Sequence, residues 1–390
     1  MNVRQLALFA LLVFPSAVPA TVEAASTSIL EDPVFQEEAR LGLQYLYDMD
    51  FAGADATFAK IGGRYPGHPV GPFLQSLIPW WAIQLEPDDA SQDAAFLKAM
   101  DEVITVCDRR LKADPEDLDA MFFKAGAHAF RGRVHSDRTR WLRAARDGQQ
   151  ALRHLRAVRE RAPENDDLYF GIGLFDYLVD VIPHRYRVLR PFARLFPKGD
   201  KERGLQELER AMTRGKFVPT EVAYTLLQIQ YIFEENFTES LRHATWLRQR
   251  HPDNSIFHLY QGRAFERLGR LQDANRVFHE ILERHEKGQS GYTDAMAERA
   301  LYLLTRVEMQ WRRYDVALAD IDRLERLTAS RDVESEYKVL GRLRRGMVFD
   351  ALGRRKEAIV CYKQVLKMDS GGNAHERART YLKKPYGSAG

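Results

Sequence analysis

One order of residues recurs along this 390-residue chain and constrains its fold more than anything else in it. In Leu340–Ser370 it reads Gly346, Phe349, Gly353, Ala358, Tyr362, Val365: small, aromatic, turn glycine, small, aromatic, aliphatic. In Ser255–Gly288 it reads Gly262, Phe265, Gly269, Ala274, Phe278, Ile281. Phe35–Gly67 holds Gly42, Tyr45, Ala54, Phe58 and Pro66 at matching spacings. Glu221–Asn254 carries Tyr231, Ser240 and Leu247 at a shift of 34 residues from the repeat that follows it. The reason for the order is packing. The small residues let two antiparallel helices cross closely, and the aromatics fill the space around the crossing. One such hairpin cannot bury its apolar face alone, so hairpins must stack. The expected fold is all-α, a right-handed solenoid of about seven antiparallel helix hairpins with an irregular insert near 178–199.

Between the clear repeats lie less regular stretches. In Pro72–Pro115, Pro72, Pro79 and Pro87 bracket Trp80-Trp81. Proline inside a helix removes a hydrogen bond and clashes with the preceding turn, which predicts a broken first helix here. The two tryptophans are expected in the core, with a binding platform as the alternative. In Leu118–Pro163 the apolar run Met121–Phe130 predicts a helix, Arg131–Arg140 a polar connection, and Trp141–Arg161 a long second helix. Asp166–Pro219 starts as a first helix at Gly171-Ile172-Gly173 and then carries more residues than a hairpin turn needs. Long loops inside compact repeats are usually functional or disordered, and this one, rich in Phe, Leu and Arg, is expected to be packed. Asp200 is placed to cap the helix after it. Glu298–Thr328 is a weak repeat, and Ala374–Leu382 is a short helix suited to cap the stack.

Across nearly the whole chain after residue 24, these residues resemble the tetratricopeptide-repeat superfamily, whose helix–turn–helix unit is about 34 residues long. A second, weaker resemblance lies in Gly171–Leu208. Its order Gly-x-Gly-Leu-Phe, Ile-Pro, Gly-Asp-x-x-x-Gly-Leu is similar to a block of the inclusion-body-clearance family of tetratricopeptide proteins. That resemblance implies action through protein contacts rather than catalysis.

The first residues stand apart. Arg4 precedes the apolar run Leu6–Phe14, and Val18-Pro19-Ala20 or Val22-Glu23-Ala24 offers a small-residue cleavage site. This is the pattern of a secretory signal over residues 1–24, and its apolar run is too short to span a bilayer. The expected organisation is a signal (1–24), divergent hairpins with the insert (25–219), regular repeats and a cap (220–382), and a disordered tail (383–390). The expected location is the periplasm. Cys107 and Cys361 lie far apart and read as small buried hydrophobes rather than a disulfide.

Chemistry is scarce. Gly171-Ile172-Gly173 lacks both the preceding strand and the third glycine of a dinucleotide site. The histidines are scattered, so no metal or other cofactor is expected. With a net charge of +3 and 29% charged residues, no nucleic-acid partner is implied. One local feature stands out: residues 131–216 hold 20 Lys/Arg against 12 Asp/Glu. Solvated helix faces are the plain reading, and an acidic partner or anionic envelope surface is the functional one.

The function expected is an exported, non-enzymatic scaffold that binds a protein or peptide on its concave helical surface. Leu43, Tyr47, Ile229, Phe233, Arg263, Arg267 and Met347 are expected on that surface. From the basic stretch Arg185, Arg187 and Arg190 join the candidate contacts. The alternatives are a peripheral envelope-assembly factor and an enzyme with a site in 166–219 around Asp176, His184 and Arg187.

Overall fold

The computed structural model describes residues 28–186, 198–329, 335–369 and 372–387. The signal-like segment therefore lies outside the described residues, as do Arg187, Arg190 and the apolar residues Leu189, Phe192, Leu195 and Phe196 of the insert.

All regular elements among the described residues are helical, and they pair in sequence order. The hairpins are α1 (Pro33–Tyr47) with α2 (Phe51–Arg64), α3 (Val70–Leu85) with α4 (Asp93–Ala113), and α5 (Leu118–Asp137) with α6 (Trp141–Arg161). Next come α7 (Leu168–Arg185) with α8 (Lys201–Arg214), and α9 (Pro219–Gln228) with α10 (Phe237–Arg250). The chain then forms α11 (Ser255–Arg267) with α12 (Leu271–Glu286), α13 (Asp294–Gln310) with α14 (Tyr314–Thr328), and α15 (Glu336–Ala351) with α16 (Arg355–Val365). Helix α17 (Ala374–Lys383) closes the stack. The described residues thus hold eight hairpins against about seven expected, and the first helix of Pro72–Pro115 is unbroken. Pro72 falls in the first turn of α3, where no intrahelical donor is required, so only Pro79 costs a bond and α3 runs on. Trp80 and Trp81 are both in the core.

The repeat signature corresponds to contacts. A Cβ at Gly42, Gly262 or Gly346 would lie 2.5 Å from the ring of Phe58, Phe278 or Tyr362 respectively. The turn after six of the first helices (α1, α5, α9, α11, α13 and α15) holds a left-handed residue. Gly269 and Gly353 supply it without strain, while Met49, Thr139, Glu235 and Arg312 adopt positive φ there at a cost of about 1 kcal/mol. Between α7 and α8 the crossing is backbone on backbone: a Cβ at Gly173 would lie 2.7 Å from the Gly204 carbonyl oxygen. Asp200 caps α8 by accepting from the Arg203 amide. The expected tail begins later than residue 383, since the Tyr386 amide donates to Asp350 and its ring packs on Tyr381. Cys107 and Cys361 are buried and unbridged.

In the last hairpin Ala358 is fully buried beside the crossing made by Gly346 and Tyr362. Ala358→Leu should overpack it and cost about 1–3 kcal/mol in a urea melt. A wild-type midpoint would mean that the crossing lies elsewhere.

The stack winds tightly enough for its first hairpin to return onto the fifth, sixth and seventh. Asn254 donates its side-chain amide to the Tyr47 carbonyl (2.8 Å), and His251 Nδ1 lies 2.9 Å from Asp48. The Ser290 hydroxyl donates to the Met49 carbonyl (2.6 Å). Met49 itself is fully buried against Gly291, where a Cβ would come within 2.7 Å of its side chain. Phe35 packs on Phe217 at 5.5 Å. The concave face is thereby narrowed into a lumen that stays partly open to solvent.

Candidate functional site: an interior lumen with two chambers

Three first helices, α3, α5 and α9, line this lumen along their lengths. Their early residues face an apolar chamber of about 220 Å³, where Phe73, Leu77, Phe122, Phe130 and Leu174 form walls. Their later residues face a polar chamber of about 460 Å³ bordered by Arg133, Arg263, Arg299, Tyr224, Tyr260 and Tyr337. Arg133 borders both. Its side chain is 44% exposed, open to this space.

The electrostatics of the two chambers differ. In the polar one Arg133 pairs with Asp137 at 3.1 Å, and Arg138, which also borders it, is engaged by Asp93 and the Pro87 carbonyl. The Arg263 guanidinium lies 4.5 Å from the Tyr231 ring and 4.9 Å from Tyr260. Such stacking holds the cation in place while leaving its N–H groups for a ligand. Arg299 is nearly buried and points one nitrogen at Met296 Sδ, 3.8 Å away. No salt bridge ties Arg263 or Arg299 to a carboxylate among the described residues. Asp88 and Glu336 border the same chamber. Burial and the nearby Asp88 raise the Glu336 carboxyl, while Arg263 pulls it down. In the apolar chamber, burial pushes the Glu221 carboxyl up to about 7, against the Trp80 indole N–H, the Arg133 charge and the Tyr47 hydroxyl. Asp167, the other carboxyl there, is occupied in accepting from the Phe217 and Val218 amides.

The residues expected on an open concave surface are dispersed. Tyr47 is 5% exposed, packed on Trp81 and His251, and Leu43, Ile229 and Met347 are buried as well. Leu43 and Tyr47 nevertheless border the apolar chamber, while Ile229 is covered by neighbouring hairpins. Arg263 does face the lumen. Arg185 stacks over Phe233 at 5.9 Å, and Arg267 over Phe237 at 4.1 Å. The envisaged cluster of Asp176, His184 and Arg187 is not assembled among the described residues: Asp176 is buried against Arg203 at 2.8 Å, and His184 is exposed with Nδ1 on the Asp180 carbonyl. Arg133 was hidden because Arg131–Arg140 reads as a connection. In fact α5 continues to Asp137, held to α6 by buried Asp147, which takes His128 Nδ1 at 2.9 Å and the Arg131 guanidinium. The described residues contain no group of His, Cys, Asp and Glu able to hold a metal, and no helix long and apolar enough to cross a membrane.

The family model Iml2/Tetratricopeptide repeat protein 39 matches residues 167–330. That span is similar to a tetratricopeptide-repeat family, and the fold around it is the stack of helix hairpins described above. The matched span runs from α7 through α14, so it takes in the close Gly173–Gly204 crossing and the two regular repeats. No curated protein sequence matches the chain. Among solved structures, the chain resembles yeast Tom70 at 11% identity, over 90% of this chain and 88% of that one, with a TM-score of 0.42. It resembles a tetratricopeptide repeat protein from Parabacteroides merdae at 10% identity, over 89% and 97%, with a TM-score of 0.32. A human IFIT1 dimer aligns at 13% identity, over 85% and 68%, with a TM-score of 0.47.

Proposed function

We propose that this protein is an exported, periplasmic scaffold without catalytic activity, and that it captures an acidic peptide segment of a partner protein. The observation that carries the reading is the polar chamber, where Arg133, Arg263 and Arg299 converge with three tyrosines on the inner face of the stack. Stacked-hairpin proteins use that face for binding. Guanidinium groups pair with carboxylates through two parallel hydrogen bonds, so an acidic side chain is the natural guest.

The test is calorimetry with a short polyglutamate peptide. Wild type should bind it, and Arg263→Gln with Arg299→Gln should weaken binding at least about tenfold, the scale of two lost charge-assisted hydrogen bonds. Added salt should weaken it as well. Equal binding of polyglutamate and polylysine would end the reading.

A second reading, a peripheral factor on an anionic envelope surface, is favoured by α6. Its outer face presents Arg143, Arg146, Arg153 and Arg156, and Trp141 and Leu142 are exposed at its start. Arginines flanking exposed apolar side chains suit a headgroup layer. Vesicle co-sedimentation lost in Arg143→Glu with Arg153→Glu, with peptide binding unchanged, would favour it.

A further inference from the structure

We infer that the lumen is also a site for a straight-chain anionic amphiphile, a free fatty carboxylate, with its tail in the apolar chamber and its carboxylate among Arg133, Arg263 and Arg299. The inference shares the arginines with the peptide reading but not the apolar chamber, and it stands if no peptide binds.

Polarity changes in one direction along the lumen. On α3 the facing residues run Phe73, Leu77, Trp80, then Gln84. On α5 they run Phe122, Gly126, Phe130, then Arg133 and Asp137. These positions follow the three-and-four spacing of one helical face, so each helix passes continuously from one chamber to the next. Arg133 stands where they meet. The space exists because the walls are small in places. Gly126 and Ala129 face it from α5, and Ala129 stays exposed.

The apolar chamber discriminates between guests. A peptide brings one amide donor and one carbonyl acceptor per residue, and each needs a partner once it leaves water. The chamber offers few. Asp167 is already engaged, which leaves Glu221 and the Trp80 indole N–H, unpartnered among the described residues, as its main polar groups. Aromatic and aliphatic side chains make up most of the rest. An acyl chain brings no polar group and fills such a space at no hydrogen-bonding cost. The charged end then lies beside three guanidinium groups, two of which have no carboxylate partner among the described residues. Charge complementarity at one end and dry walls at the other define the guest.

The experiment is calorimetric titration of the full chain with saturated fatty acids of about eight to about fourteen carbons, below their micelle concentrations. Affinity should rise about fourfold per methylene until the chamber is full, the fold-change equivalent to about 0.8 kcal/mol per buried methylene. Primary alcohols of equal length should bind at least about tenfold more weakly. Arg263→Gln with Arg299→Gln should erase that difference and keep the slope. Ala129→Phe should abolish binding of the longest acids and leave polyglutamate binding unchanged, with Ala129→Leu as the milder variant should the first not fold. Absence of binding at every chain length in wild type would overturn the inference. So would binding that ignores both the carboxylate and residue 129, or binding of phospholipid vesicles without binding of free acids. Loss of polyglutamate binding alone would count against the peptide reading and not against this one.

Discussion

Trp81→Ala should destabilise the chain by about 3–5 kcal/mol, the range for deleting a large aromatic from a packed core. Trp81 is 1% exposed and stands where four helices meet. Its ring lies 5.5 Å from Tyr47 of α1, 5.6 Å from Tyr224 of α9 and 5.7 Å from Phe257 of α11. These belong to the first, fifth and sixth hairpins, while Trp81 belongs to the second. The loss would therefore fall on the contact that closes the stack as well as on local packing. Trp246 is the control: it is half-buried under the Arg250 guanidinium, and alanine there should cost far less. Urea melts measure both. Small-angle scattering should show a larger radius for Trp81→Ala under conditions where it remains helical. Equal costs at the two tryptophans would mean that the closure contributes little.

The hairpins were readable because their packing is local. The glycine and the ring it meets lie 16 residues apart in each repeat, as with Gly262 and Phe278, so a fixed spacing carries the information. The closure was not readable. It joins Asp48 to His251 and Met49 to Ser290, more than 200 residues apart, through side chains that also occur in any turn. Nor was the lumen. Phe73, Leu77 and Phe130 obey the same helical period as core residues, and nothing in a sequence says which apolar face meets a neighbour and which meets a cavity. Proline was over-read at Pro79, since a helix packed on several sides tolerates the loss of one hydrogen bond. Of the residues singled out beforehand, Arg263 lines the polar chamber, and Leu43 and Tyr47 line the apolar one. Arg133 and Arg299 join Arg263 from helices whose role became visible only with the winding.

Glu221→Gln should stabilise the chain in alkaline solution and leave it nearly unchanged in acid. Burial lifts the Glu221 carboxyl from 4.5 to about 7, opposed by the Trp80 N–H, Arg133 and the Tyr47 hydroxyl. The folded value lies above the unfolded one, so the folded chain holds the extra proton between these limits. Stability from this group is complete below about 4.5 and is lost as pH rises through about 7. The full loss is on the order of 3 kcal/mol, at about 1.4 kcal/mol per pH unit. His243 works in the opposite sense: burial, with Arg242 beside it, lowers the imidazole to about 4, so its contribution is present above 6.5 and is lost on acidification. Wild type should accordingly be most stable in mildly acidic to neutral solution. Glutamine stays neutral throughout, and the variant should gain only on the alkaline side. Urea melts at pH 5 and pH 8 separate the cases. An advantage of the same size at both values would mean that the carboxyl is not the group being titrated. A fatty acid seated in the lumen should deepen the effect in wild type, because an occupied apolar chamber removes what water remains near Glu221 and raises its carboxyl further.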